Sequence, residues 1–175
     1  PTAPIASSGP DVPVTRVRLV EDAPRALTEA LCSAVRARGV PDAPELAPLR
    51  AVLGRLIPDW RGPGPELEVS VVTLSEGILR FLRVLAADHG CVVIIEDLHW
   101  ADPETVSVVE YLADNLVSER VLCVVTPRVA ERTEVVDLAR ALQARRSAEV
   151  IEPARLTADE VAETVGTCLG SDTIP

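Results

Sequence analysis

The chain has 175 residues, with 27 Asp and Glu against 17 basic residues and a formal net charge of −10. That balance argues against a broad nucleic-acid surface. The 47% hydrophobic content is enough for a real core, while the apolar runs fall far short of the roughly 20 residues of a membrane span. All the cations are Arg, and the absence of Lys excludes a Schiff-base or catalytic lysine and the lysine of a phosphate-binding loop. Met is absent as well, so the expectation is an internal piece of a longer polypeptide. Cys32, Cys91, Cys123 and Cys168 are far apart and form no C-x-x-C pair, the pattern of buried reduced thiols rather than of a zinc site or a disulfide framework.

In chain order, residues 1–13 carry four prolines, two serines and a glycine and read as a disordered leader with no signal-peptide pattern. Val14 to Val20 alternates apolar and polar residues, a candidate strand. Helices are expected from about Ala23 to Arg38, stopped by Gly39 and Pro41, and from about Glu45 to Leu56. Trp60 to Pro65 is a loop. A helix over about Val71 to Ala87 places Leu74, Ile78, Phe81, Leu82 and Leu85 on one face, and Gly90 closes it. Cys91 to Ile95 is a short, continuous, β-branched run of the kind buried in a parallel sheet.

Asp102-Pro103-Glu104 is a helix start, with Asp as N-cap and Pro at the first helical position. The helix it opens turns Val106, Val109, Leu112 and Leu116 inward. Val121 to Val125 is a second buried strand, followed by a helix over about Thr133 to Arg145, a short strand near Glu149 to Ile151, and a helix opened by the capping box Thr157-x-x-Glu160 and ended at Gly170. Alternation of this kind predicts an α/β fold, a parallel sheet with helices on both faces, over residues 14–170, with a short tail at 171–175. Sites in such sheets lie at the carboxyl ends of the strands.

Beyond Ile95 stand Glu96 and Asp97, two adjacent carboxylates at the mouth of an apolar strand. Like charges near a low-dielectric core oppose each other's ionisation, and a divalent cation removes that penalty. Two solvated acids at a strand end are the alternative. No G-x-S-x-G surrounds a serine, so His99 has no nucleophile to activate in a hydrolase triad.

The string from Cys91 to Leu112, CVVIIEDLHWADPETVSVVEYL, resembles the Walker B segment of the AAA-like signal-transducing (STAND) ATPases, most closely the ATPase module of large LuxR-type bacterial transcriptional regulators. The resemblance is specific at Val92 to Leu112 and extends more weakly over about Thr15 to Gly170. Val121 to Arg128, VLCVVTPR, resembles the sensor 1 strand, and residues 151–170 resemble the segment that closes the ATPase core. By this resemblance Glu96 and Asp97 are the catalytic acids and would hold Mg²⁺ through water, Glu96 in the first Walker B position and Asp97 in the second, where it would polarise the attacking water, and Arg128 would face the γ-phosphate. His99, Trp100 and Asp102 belong to the motif without an assigned chemical role; His99 could pair with Asp97 or Asp102, or simply pack. The sequence has Glu then Asp where a common version has Asp first, and Pro127 stands where other residues are common.

The motif G-x-x-x-x-G-K-[ST] is not in the chain, and the resemblance locates it upstream of Val14. The expectation is therefore an incomplete P-loop NTPase-like fold, a cytoplasmic piece of a nucleotide-dependent switch. ATP and Mg²⁺ would be cofactors of the intact protein. The partners would be the rest of the polypeptide and, as a possibility, a second copy, with no nucleic acid or membrane contacted by this piece. By the same expectation the intact protein binds and hydrolyses ATP, and this chain alone is inactive. The alternatives are the same module in a cyclase- or kinase-linked signalling protein, and a module without a P-loop that serves protein–protein contact.

Overall fold

A computed structural model describes residues 14–18, 43–63, 68–87, 89–128 and 133–169. The expected leader, the helix over Ala23 to Arg38 and the tail lie outside the described residues. Three strands, β1 (Val14–Arg18), β2 (Cys91–Glu96) and β3 (Val121–Thr126), form one parallel sheet in the order β1-β2-β3. β1 lies beside β2 with Val14 opposite Val92 and Arg18 opposite Glu96. On the other side, Cys91 is opposite Val121 and Glu96 opposite Thr126. Both apolar runs are thus parallel neighbours, and their carboxyl ends share one edge.

Helix α1 (Arg50–Leu53) is short and is preceded by a 3₁₀ segment, Pro44–Leu49, where sequence periodicity predicts one helix to Leu56. Pro48 explains the difference: it has no N–H for an i−4 bond and its ring clashes with the preceding turn. The tighter winding still buries Leu46 and Leu53, so the hydrophobic stripe survives. Gly54 ends α1 against the Trp60 carbonyl, to which a Cβ at position 54 would approach within 2.9 Å. Trp60 closes a second 3₁₀ turn, Pro58–Trp60, and packs edge-on against Phe81 with ring centroids 5.8 Å apart.

Helix α2 (Val71–Ala86) is capped by the Ser70 hydroxyl, which accepts from the Thr73 N–H at 3.2 Å. Its expected stripe is the buried one: Leu74, Ile78, Phe81 and Leu82 are in the core, and Leu85 packs against it. Gly90, at φ +79°, turns the chain from α2 into β2. Helix α3 (Pro103–Asn115) packs against α2 and buries Val108, Val109 and Leu112, and Val106, half-buried, packs against the same core. Helix α4 (Thr133–Ala144) packs against α3, and its Val135 and Leu142 are buried.

Cys91, Val93 and Ile95 belong to a single hydrophobic cluster with α2 and α3. The opposite side of β3 differs from the buried strand expected there: Leu122 is 58% and Val124 38% exposed. No strand forms at 149–151, where Ile151 is 79% exposed. Three residues have too little ladder and apolar area to hold a strand without a neighbour on each side. Helix α5 (Ala158–Leu169) begins at the expected capping box, with the Thr157 N–H donating to Glu160 at 2.7 Å and the Glu160 N–H donating to the Thr157 hydroxyl at 3.3 Å. No helix among the described residues is long and apolar enough to cross a membrane.

Candidate functional site at the carboxyl edge of the sheet

The site is built by the segments that leave β2 and β3. Glu96 is the last residue of β2, half-buried, with its Cα opposite Thr126 on one side and Arg18 on the other. Asp97 then takes a left-handed conformation, φ 60° and ψ 39°, which swings the chain out of the strand direction into a 3₁₀ turn over Leu98–Trp100. Asp is one of the few non-glycine residues that tolerates this region. The turn closes on itself, the Trp100 N–H reaching the Asp97 carbonyl at 2.9 Å and the Ala101 N–H the Leu98 carbonyl at 3.0 Å. Leu98 and Ala101 are buried and anchor it.

The two exits are tied to each other. The Asp97 N–H donates to the Thr126 hydroxyl at 3.3 Å. The Arg128 N–H donates to His99 Nδ1 at 3.2 Å. Arg128 Nε lies 3.9 Å from Asp97 Oδ1. Of the residues singled out from the sequence, Asp97 and Arg128 therefore meet, Glu96 lies one residue before Asp97 on the same edge, and His99 accepts from the backbone of Arg128. Its ring is 4% exposed and lies against Trp100, centroids 4.9 Å apart. Thr126 was not singled out by sequence reasoning; the signal was a lone hydroxyl residue closing an otherwise apolar strand.

Asp102 has a clear structural role. Its carboxylate caps α3, accepting from the Thr105 N–H at 2.8 Å and the Thr105 hydroxyl at 2.9 Å. Glu104, in the first turn, meets Arg55 at 3.5 Å, and Arg55 also reaches the Val69 carbonyl at 3.3 Å, holding the start of α3 to the segment before α2.

Among the described residues no three His, Cys, Asp or Glu side chains gather into a metal cluster. The edge does carry two adjacent carboxylates, which suits a cation that takes most of its ligands from water and phosphate, as Mg²⁺ does. It does not suit zinc, which wants a closed set of protein donors. The Arg128 side chain is 63% exposed, and an ion pair this exposed and this long is worth on the order of 0–1 kcal/mol.

An acid pair and an arginine thus stand at the carboxyl edge of a parallel α/β sheet, the edge at which folds of this class bind their ligands. A family model described as AAA ATPase domain matches residues 6–125, more than half of the chain, and the chain belongs to that family. The match includes Glu96 to Asp102 and ends three residues before Arg128. No curated protein and no solved structure matches the chain.

Proposed function

We propose that this AAA ATPase domain contributes the acidic and phosphate-sensing edge of an ATP-binding module of the kind found in large LuxR-type transcriptional regulators, where nucleotide state is a signalling switch. One observation carries the reading: Asp97 and Arg128, 31 residues apart in sequence, meet on one edge of the sheet, one residue beyond Glu96. Glu96, at the strand end, is the Walker B acid that would hold the water shell of Mg²⁺. Asp97, projected forward by its left-handed backbone, orients and polarises the attacking water. Arg128, the sensor 1 residue, turns from Asp97 to the γ-phosphate, which its planar fork matches bidentately. The metal, when bound, neutralises the phosphate oxygens.

The test is a nitrogen-15 titration of the chain with millimolar MgATP. Amide shifts confined to residues 96–99 and 126–128 are expected, reduced by Glu96→Gln and by Arg128→Ala. Shifts elsewhere, or none, would remove this edge as a nucleotide site. Reading the coding sequence on the Pro1 side for G-x-x-x-x-G-K-[ST], and on the Pro175 side for a helix-turn-helix, separates the regulator from a cyclase- or kinase-linked protein and from a purely interacting module.

A further inference from the structure

We infer that His99 is a positioning residue for Arg128, holding the backbone from which the arginine reaches the candidate phosphate site. The inference rests on the nucleotide reading of Arg128. A ring nitrogen that accepts a backbone N–H must present its lone pair, so Nδ1 of His99 is unprotonated and the ring proton resides on Nε2. The ring is 4% exposed, lies against Trp100, and sits in a turn anchored by buried Leu98 and Ala101. It is therefore a fixed acceptor rather than a mobile one.

The segment it holds is constrained at each residue in turn. The Thr126 hydroxyl accepts the Asp97 N–H. Pro127 has a ring-locked φ. The Arg128 N–H is held by His99. The guanidinium at the far end remains exposed. The backbone is held while the side chain is exposed to solvent, so the arginine reaches toward Asp97 or an arriving anion from a constant origin. A packing role alone would need the volume of the imidazole but not an acceptor at Nδ1.

Nitrogen-15 and hydrogen-exchange measurements on the full chain test this, helped by there being two histidines in the sequence, His89 and His99. The expected results are an Nε2–H tautomer for His99 and a protected Arg128 amide. His99→Asn places an amide oxygen where Nδ1 was and keeps that protection. His99→Phe fills the space without an acceptor and loses protection by about tenfold, the value of one hydrogen bond, while core amides of α3 stay protected. His99→Phe also weakens the shift of Arg128 Nε by millimolar MgATP, and His99→Asn restores it. An Nδ1–H tautomer in the wild-type chain, or unchanged Arg128 protection in His99→Phe, overturns the inference. So does a wild-type MgATP response in His99→Phe, which would leave the phosphate site standing. No MgATP response at residues 96–99 and 126–128 in the wild-type chain overturns the phosphate site itself, and the positioning role falls with it; the tautomer measurement on the wild-type chain does not depend on any variant folding.

Discussion

Asp97 and Gly90 are two left-handed residues bracketing β2, and they answer differently to substitution. At Gly90, φ is +79° and a Cβ would come within 3.1 Å of the Arg120 carbonyl. Gly90→Ala is expected to destabilise the fold by about 1–2 kcal/mol through the left-handed penalty, seen as a lower urea midpoint with an unchanged m-value. Asp97 already bears a side chain at φ 60°. Asp97→Asn keeps a residue that tolerates the conformation and is expected to leave stability within about 0.5 kcal/mol while removing the MgATP response. The cysteines offer a second check. Burial, with the neighbouring Cys91 thiol, pushes the Cys123 thiol up to about 11, whereas Cys168 is exposed. At neutral pH a thiol reagent should modify Cys168 quickly and the half-buried Cys123 more slowly. The sequence was informative for residues whose partners are local: Asp102 finds Thr105 three positions on. For His99 it offered pairing with Asp97 or Asp102, or packing, and it could not supply the Arg128 N–H, because that partner lies 29 positions away and only the pairing of β2 with β3 brings the two together.

Helices α2 and α3 are joined by apolar packing and by one polar seam. The Tyr111 hydroxyl donates to Glu76 Oε2 at 3.0 Å, and Glu76 Oε1 accepts from Arg80 Nε at 2.7 Å. The Arg80 hydrogen bond is the main reason the Glu76 carboxyl titrates below its usual value, with Tyr111 adding to it and partial burial opposing it. A depressed carboxylate pKa contributes stability that is present above the unfolded value of 4.5 and is lost as pH falls through the folded value. Acid titration of stability should therefore decline less steeply below about pH 4.5 in Glu76→Gln than in the wild-type chain. Tyr111→Phe is expected to cost about 0.5–1 kcal/mol, the low end for a hydrogen bond because the seam is partly solvated. At this scale periodicity identified α2 and its buried face, since Leu74, Ile78, Phe81 and Leu82 repeat at helical spacing over about two turns. It overextended α1, where a single ring at Pro48 decides between α and 3₁₀ winding, and it assigned a strand to residues 149–151, where no neighbour supplies a ladder.

At the scale of the whole molecule two features act together: an open apolar side of β3 and a strongly acidic chain whose cations are all arginine. Among the described residues β3 is paired on one side, with β2, and Leu122 and Val124 face outward. Such an edge pairs readily with another chain. Self-association rising with concentration is expected in sedimentation, and Leu122→Thr with Val124→Thr should reduce it without lowering the melting temperature by more than a few degrees. Periodicity could not foresee this exposure, because VLCVV reads as buried on both faces and exposure depends on what lies beside the strand. Nucleotide binding is governed by the same large-scale balance. Glu96 and Asp97 can hold Mg²⁺ only with a triphosphate already anchored, since Mg²⁺ keeps most of its water and relies on phosphate oxygens. The sequence supplies no lysine for that anchor, and its net charge of −10 repels a polyanion, over a screening distance of about 8 Å at physiological salt. Arg128 stands beside the acids, but its charge is partly spent on Asp97. The expected affinity of this chain for MgATP is therefore weaker than about 1 mM, less than about 4 kcal/mol of binding free energy, with no measurable hydrolysis. Calorimetry at low salt and at physiological salt checks it: heats that fail to saturate at both are the expected result. Saturation in the micromolar range would mean that the phosphate is gripped by groups other than a lysine loop, and the Walker B reading of Glu96 and Asp97 would have to be given up.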